Sequence, residues 1–469
     1  MKNQKINRRN FMGSMSCAAL GYATLSNSIL NLKAINALAS ANSALDPGYK
    51  ALVCIMKSGG NDSYNMLVPT TPDEYKLYKE TRSQIALDSK DILSLNTINT
   101  PGRTFGLHPS MTGIRKMFNE GKVSFISNIG TLVEPVKRDQ VYLQNAKLPL
   151  GLLSHSDQSQ QWQTAVLNDR ASSGWGGRMA DLIKDQNKEQ NISMNISISG
   201  TNLFQEGNET IEYVIDRREG STGITGYGVQ GEWDYFNKAR TRALDSLIDH
   251  NYKDIFQKAY MDVIRSGRDG HLKFSEALGS VPEFQTVYSE TELSDSLKMI
   301  ARTIASHEKL GFKRQIFFVD YYGWDHHDEV LQNQLDMLGE VDDAMTSFYN
   351  TLEELNLTKQ VTTFTVSEFG RSLTSNGNGT DHAWGGNVMV MGGDLFGSRI
   401  FGTYPSMDLQ DELNVYDGVL IPTTPVDLYF AELALWMGVS RNDLAYLFPN
   451  LSNVYNINSG AAPLGFLHL

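Results

Sequence analysis

The stretch 379–386, GTDHAWGG, sets an acid and a histidine among small residues. An imidazole in that setting can ligate a metal, because glycine lets the backbone turn tightly beside an ion. Similar groups recur along the chain: Asp62 in SGGND, Asp325, His326 and His327 in GWDHHDE, and Glu368 and Arg371 in SEFGR. Carboxylates with imidazoles are the ligand set of Zn²⁺, Mn²⁺ and related divalent ions, with Ca²⁺ as the oxygen-rich alternative. Two such ions roughly 3.5–4 Å apart would activate a nucleophile and neutralise a phosphoryl or sulfuryl oxygen. Arg371 could hold an anionic oxygen with both prongs of its guanidinium. Each residue also has an ordinary reading. Asp62 could satisfy a turn, Asp325 and His327 could sit at a helix start, and Glu368 could simply pair with Arg371.

A second group lies at LHPSM (107–111) and SHSDQSQQWQ (154–163). His108 precedes Pro109 at an expected helix start, where free N–H groups can receive an anion. Ser110 is there either a nucleophile or a first-turn serine. Ser154 and His155 are neighbours in sequence, which does not make them a catalytic pair. Trp162 and Trp175 are expected to pack in the core.

The elements that must position these residues follow from apolar patterning. ALVCIM (51–56) is a continuous apolar run of strand length, suited to a strand buried on both faces. The spacing of Met111, Ile114, Met117 and Phe118 predicts a helix over 109–120, with Pro109 in its first turn and Gly121 closing it. Further strands are expected at 123–129, 315–319, 361–366 and 387–391. A long helix carries Leu331, Leu335, Leu338, Met345, Phe348, Leu352 and Leu355 on one face. The region 235–310 reads as mostly helical. Strands alternating with helices predict an α/β fold with a mainly parallel sheet. In such sheets ligands bind beyond the carboxyl ends of the strands, which is where the acids and histidines fall.

The chain has 469 residues, 41% of them apolar, and a net charge of −12. That balance argues against nucleic acid or an anionic membrane surface as partner. No run of 18 apolar residues predicts a transmembrane helix. The N-terminus reads NRRNFM followed by a mildly apolar stretch, the pattern of a twin-arginine export signal with Arg8 and Arg9 as its pair. Cleavage is expected after Ala37-Leu38-Ala39, giving a signal over 1–39 and a single domain over 50–469 with a helical insertion near 235–310. The protein would then leave the cytoplasm folded and act in the periplasm. Of the two cysteines only Cys54 would remain, so no intramolecular disulfide is expected.

The ordered set SGGNDSYNMLVP, GLHPSM, SHSDQSQQW, GWDHH, SEFGR, GTDHAWGGNVMVMGG and LYFAELALWMGV…LFPNL resembles a bacterial family of exported proteins, domain-of-unknown-function family 1501. That family lies in the alkaline phosphatase and sulfatase superfamily, and the resemblance spans roughly residues 50–455. It implies an alkaline phosphatase-like α/β fold, a mostly parallel sheet sandwiched by helices, with a hydrolytic site holding one or two metal ions. By the same resemblance Asp62 is the ligand after the first strand, Asp325 and His327 supply one metal position, and His382 completes it. Glu368 stands where the superfamily has the acid of an Asp-His pair, but Phe369 follows it in place of histidine. Ser110 is the hydroxyl nearest the nucleophile position.

Two functions are consistent with these residues. One is an exported metal-dependent hydrolase of phosphate or sulfate esters, with an anionic small-molecule ester as substrate. The other is a non-catalytic exported binding or assembly protein on the same scaffold, with an envelope protein as partner.

Overall fold

Nine strands make the central sheet of the computed structural model, which describes residues 48–188, 191–228 and 234–469. The export signal expected over 1–39, with Arg8 and Arg9, lies outside the described residues. In chain order the strands are β1 (Lys50–Ser58), β2 (Leu67–Pro69), β3 (Leu93–Ser94), β4 (Phe105–Leu107), β5 (Val123–Gly130), β6 (Asn195–Ser197) and β7 (Tyr213–Val214). They continue with β8 (Arg314–Tyr322), β9 (Val361–Val366), β10 (Arg371–Ser375), β11 (Thr380–His382), β12 (Gly386–Gly392), β13 (Ile400–Gly402) and β14 (Thr424–Pro425). The large sheet runs β13-β5-β12-β9-β1-β8-β6-β7, with β14 also pairing β5. Strands β2, β4 and β3 form a small separate sheet, and β10 and β11 form a hairpin.

β1 lies in the middle of the sheet, parallel to β8 on one side and β9 on the other. Its apolar run is buried on both faces, as a central parallel strand requires. The helix Val426–Met437 packs against β1, and the helix Glu292–Ala305 packs against both β8 and the helix Val330–Glu354. The expected α/β architecture, a mostly parallel sheet flanked by helices, is the one observed. β12 is the exception, running antiparallel to both neighbours. The reason is local: the β10–β11 hairpin leaves the chain at the carboxyl edge after β9, so β12 returns directly without a crossover helix.

Three expectations need correction. The helix predicted over 109–120 begins at Thr112 and ends at Asn119, so Pro109 lies before it. Its free N–H groups do not await an anion from outside, because the Asp342 carboxylate accepts from Gly113 N at 2.8 Å and Ile114 N at 2.6 Å. On the helix Val330–Glu354, Leu338, Met345, Phe348 and Leu352 are buried, but Leu331 and Leu335 are exposed. Trp162 and Trp175 are core residues, and Trp175 stacks on Phe430 with ring centres 4.7 Å apart. Among the described residues no helix is long and apolar enough to cross a membrane.

Lys57, near the end of β1, is fully buried. Its ammonium meets the sulfur of Met66 at 3.7 Å and the face of Trp324 at 5.3 Å. Burial pushes its pKa down to about 7. The unfolded chain keeps the proton up to the ordinary lysine range, so the native state is penalised below about 7 and gains stability as pH rises from there. Lys57→Met is expected to raise stability at pH 7 by about 1–3 kcal/mol, since a methionine needs no desolvation of charge. Urea midpoints at pH 7 and near pH 10 check this, the gain shrinking at the higher pH. A variant less stable than wild type at pH 7 would mean that the ammonium is stabilised where it lies.

Candidate metal centre

The site is built where three loops meet at the carboxyl edge of the sheet. The first is the Gly59–Gly60 turn after β1, the second the segment after β8 carrying Asp325 and His327, the third the β10–β11 hairpin ending in His382. Close backbone contact locks them together. Gly59 has φ +125°, and a Cβ there would lie 2.3 Å from the amide nitrogen of Asp325. A Cβ on Gly379 would lie 2.2 Å from the carbonyl carbon of His327. The small residue three places before His382 therefore lets the hairpin lie against the metal-candidate loop, which Thr380 N secures by donating to His326 O at 3.1 Å.

The structure brings together Asp325, His327 and His382, and adds His155, the first residue of the helix His155–Thr164. His382 Nε2 meets the other two imidazoles on either side. His382 Nε2 lies 3.0 Å from His155 Nε2 and 3.0 Å from His327 Nε2. Asp325 Oδ1 lies 3.1 Å from His327 Nε2 and 3.4 Å from His382 Nε2, and its Oδ2 lies 3.5 Å from His155 Nε2. Donors around a tetrahedral Zn²⁺ at ~2.0–2.1 Å sit about 3.3–3.4 Å apart, so these spacings fit one ion. Among the described residues, His155, Asp325 and His382 offer ligand atoms all within 4.8 Å of one another, with His327 outside that set.

The far side of each imidazole faces an acceptor. His155 Nδ1 is 2.9 Å from Glu368 Oε1, His327 Nδ1 is 3.1 Å from Asp381 Oδ1, and His382 Nδ1 is 3.0 Å from the Leu153 carbonyl. Acceptors there place the ring proton on Nδ1 and leave the Nε2 lone pairs pointing at one another. With that tautomer the Nε2 atoms of His155 and His382 and the Asp325 carboxylate are all free to ligate one cation. Arg371 acts behind Asp325. It is fully buried and donates to the carbonyls of Gly59, Gly60 and Thr380 and to the Asp325 carboxylate. Burial raises the Asp325 pKa, but the Arg371 hydrogen bond and charge, together with the charges of His327 and His155, outweigh it and hold the carboxyl below its usual range. The Glu368 hydrogen bond raises His155, and burial lowers His382.

The remaining predicted residues are placed elsewhere or differently. Arg371 is the partner of Asp325 and of three carbonyls, so its guanidinium is committed inside the protein and not offered as an anion clamp. Glu368 accepts from Gly59 N at 2.8 Å and Gly60 N at 3.1 Å besides holding His155, one place behind the cluster. Asp62 is fully buried, ion-paired with Arg82 and accepting from Thr380 Oγ1 at 3.3 Å. Phe369, where the sequence resemblance led to an expected histidine, packs its ring 4.8 Å from His155 and 4.7 Å from His382. His326 points inward, buried, because alternate residues of extended backbone face opposite sides. Ser110 bonds His108 Nδ1 at 2.8 Å and faces Gly339 of the long helix, with no contact to the cluster. Burial lowers His108 to about 4.

Sequence reasoning missed His155 as a ligand. It stands 213 residues from Glu368 and 227 from His382, and only its place after the capping Ser154 marked it.

Residues 49–424 match a family described as "Protein of unknown function (DUF1501)". The chain belongs to this family. No curated protein matches it. Solved structures similar to this DUF1501 chain include "Ps i-CgsB in complex with k-i-k-neocarrahexaose", at 11% identity and TM-score 0.34, covering 86% of this chain and 77% of that one. The PsFucS1 sulfatase from Pseudoalteromonas sp. is 9% identical with TM-score 0.32, over 75% of this chain and 64% of that one. The lipoteichoic acid synthase LtaP from Listeria monocytogenes is 7% identical with TM-score 0.30, over 81% and 76%.

Proposed function

We propose that this DUF1501 protein is a metal-dependent hydrolase of phosphate or sulfate esters that works outside the cytoplasm. The observation that carries the proposal is the convergence of two imidazoles, His155 and His382, with the Asp325 carboxylate on one point, His327 lying beside them. Imidazole nitrogens beside a single carboxylate favour zinc or a similar borderline ion over calcium, which takes mainly oxygen ligands. The donor set serves one ion. The second position read from the sequence would need Asp62, which faces Arg82, and a histidine after Glu368, where Phe369 stands instead. When bound, a divalent ion polarises an ester oxygen and makes water a stronger nucleophile at neutral pH.

The protein's own residues do the rest. Arg371 keeps Asp325 ionised and aimed, and Glu368 keeps the His155 proton on Nδ1. Asp325 and His327 stay exposed, so an ester can approach from the solvent side. Asp320 lines the cleft beside them, and burial raises its pKa above the usual carboxylate range. It is positioned to hold a proton and give it to a departing alkoxide. Ser110 has no part in this arrangement. Its distance from the cluster's contacts is the one feature favouring the second reading, a binding protein without turnover.

The test is metal content by elemental mass spectrometry on the full chain, followed by assays with p-nitrophenyl phosphate and p-nitrophenyl sulfate. About one ion per chain is expected, with turnover abolished by EDTA and restored by zinc. Metal without turnover of either ester would support the binding protein. A folded chain that takes up no zinc or manganese would defeat both the site and the hydrolase.

A further inference from the structure

Beside the cluster, a cleft of about 650 Å³ opens between the helix His155–Thr164 and the carboxyl ends of β1, β6 and β8. Its size falls in the ~300–1,000 Å³ range of small-molecule sites. Its wall carries hydroxyls and amides, among them Ser156, Ser159, Gln163, Ser199 and Thr201. Its charged residues are Asp320, Asp325 and Glu368 beside His155, and neither lysine nor arginine lines it. Two hydroxyls are half committed. Ser159 Oγ accepts from Gln163 Nε2 at 3.2 Å, and Ser199 Oγ accepts from the Asp320 amide at 2.9 Å. Each keeps its O–H to donate. Tyr322 adds an exposed aromatic face at the cleft mouth.

We infer that this cleft binds the body of the substrate, and that this body is an uncharged, hydroxyl-rich ring of sugar type. The inference rests on the hydrolase reading for the ester group alone; the cleft's own chemistry does not depend on a metal. A hydroxyl both donates and accepts, as do the serine and threonine groups that face it. Away from the cluster end, an anionic body would set its charge against the carboxylates that line the cleft with neither lysine nor arginine to pair it, in a partly desolvated site where like charges are costly. The cleft therefore selects against nucleotides and other polyphosphates, leaving a single anionic ester at the cluster end.

Saturation-transfer NMR on the full chain tests this with methyl glycosides of glucose, galactose and mannose, and with ATP. At least one glycoside is expected to receive saturation at its ring protons, with or without EDTA, and ATP is expected to receive none when EDTA is present. Ser159→Ala with Thr201→Ala should weaken the glycoside by roughly fivefold for each hydrogen bond lost. Loss of metal or of ester turnover would leave these readings in place, so failure of the hydrolase reading is seen separately. Binding of ATP in preference to the glycosides, no binding of any glycoside, or binding unchanged in the double variant would each overturn the inference.

Discussion

His382→Ala is expected to empty the metal site at ion concentrations that fill the wild type. His382 Nε2 is the central donor, 3.0 Å from both other imidazoles, so its removal opens the middle of the set. Partners one step behind a ligand are worth about 10–100-fold in affinity, and a ligand itself is worth at least the upper end of that range. Glu368→Gln, which alters only the acceptor behind His155, is expected to fall within it. His382 is half-buried at the rim of the sheet, so the variant should fold normally by circular dichroism. Elemental mass spectrometry with a competing chelator reads both variants. Full occupancy in His382→Ala under competition would mean that the converging imidazoles are not the site. Lowering pH should release the ion from the wild type, because protons compete for the same nitrogens.

Arg82→Met is expected to cost about 3–5 kcal/mol, the effect of removing one partner of a buried ion pair. Arg82 and Asp62 side chains are both fully buried. Arg82 also donates from Nε to Asn65 Oδ1 at 3.1 Å and from Nη1 to the carbonyls of Ser372 and Leu373 at 3.0 and 3.3 Å. Methionine fills the volume but leaves an uncompensated carboxylate and two carbonyls without their donor. Adding Asp62→Asn removes the stranded charge, so the double variant should recover at least ~1 kcal/mol, the coupling of residues in contact. Urea unfolding of the two single variants and the double one measures it. The same variants decide the role of Asp62. If Asp62→Asn lowers metal content while stability barely moves, Asp62 is a ligand, as the strand-end reading of SGGND suggests. If stability falls and metal stays, it is the buried counter-ion that the structure places beside Arg82.

The strands at 51–56, 123–129, 315–319 and 361–366 were legible because short runs rich in apolar and β-branched residues are a local property, continuous and apolar in the central strand at 51–56. The same logic located the chemistry at strand ends. Direction was not legible for β12: its apolar residues suit a strand of either sense, and only the β10–β11 hairpin decides which way the chain returns. Nor was the start of the helix at Thr112. Asp342, hundreds of residues later, supplies the cap that the local sequence lacks.

By itself the sequence determined that Asp62, Asp325 and Glu368 stand at the carboxyl edge of the sheet, because each follows its own strand within a few residues. Only the tertiary structure decided their company. It brought His155 from a helix start to His382, turned His326 inward and His327 outward, and drew Arg371 onto Asp325 and Asp62 onto Arg82. A carboxylate reads the same in sequence whether it will meet a metal or a guanidinium. The choice is made by whichever opposite charge the fold carries closest to it, at contact distances where burial makes each pairing worth several kcal/mol.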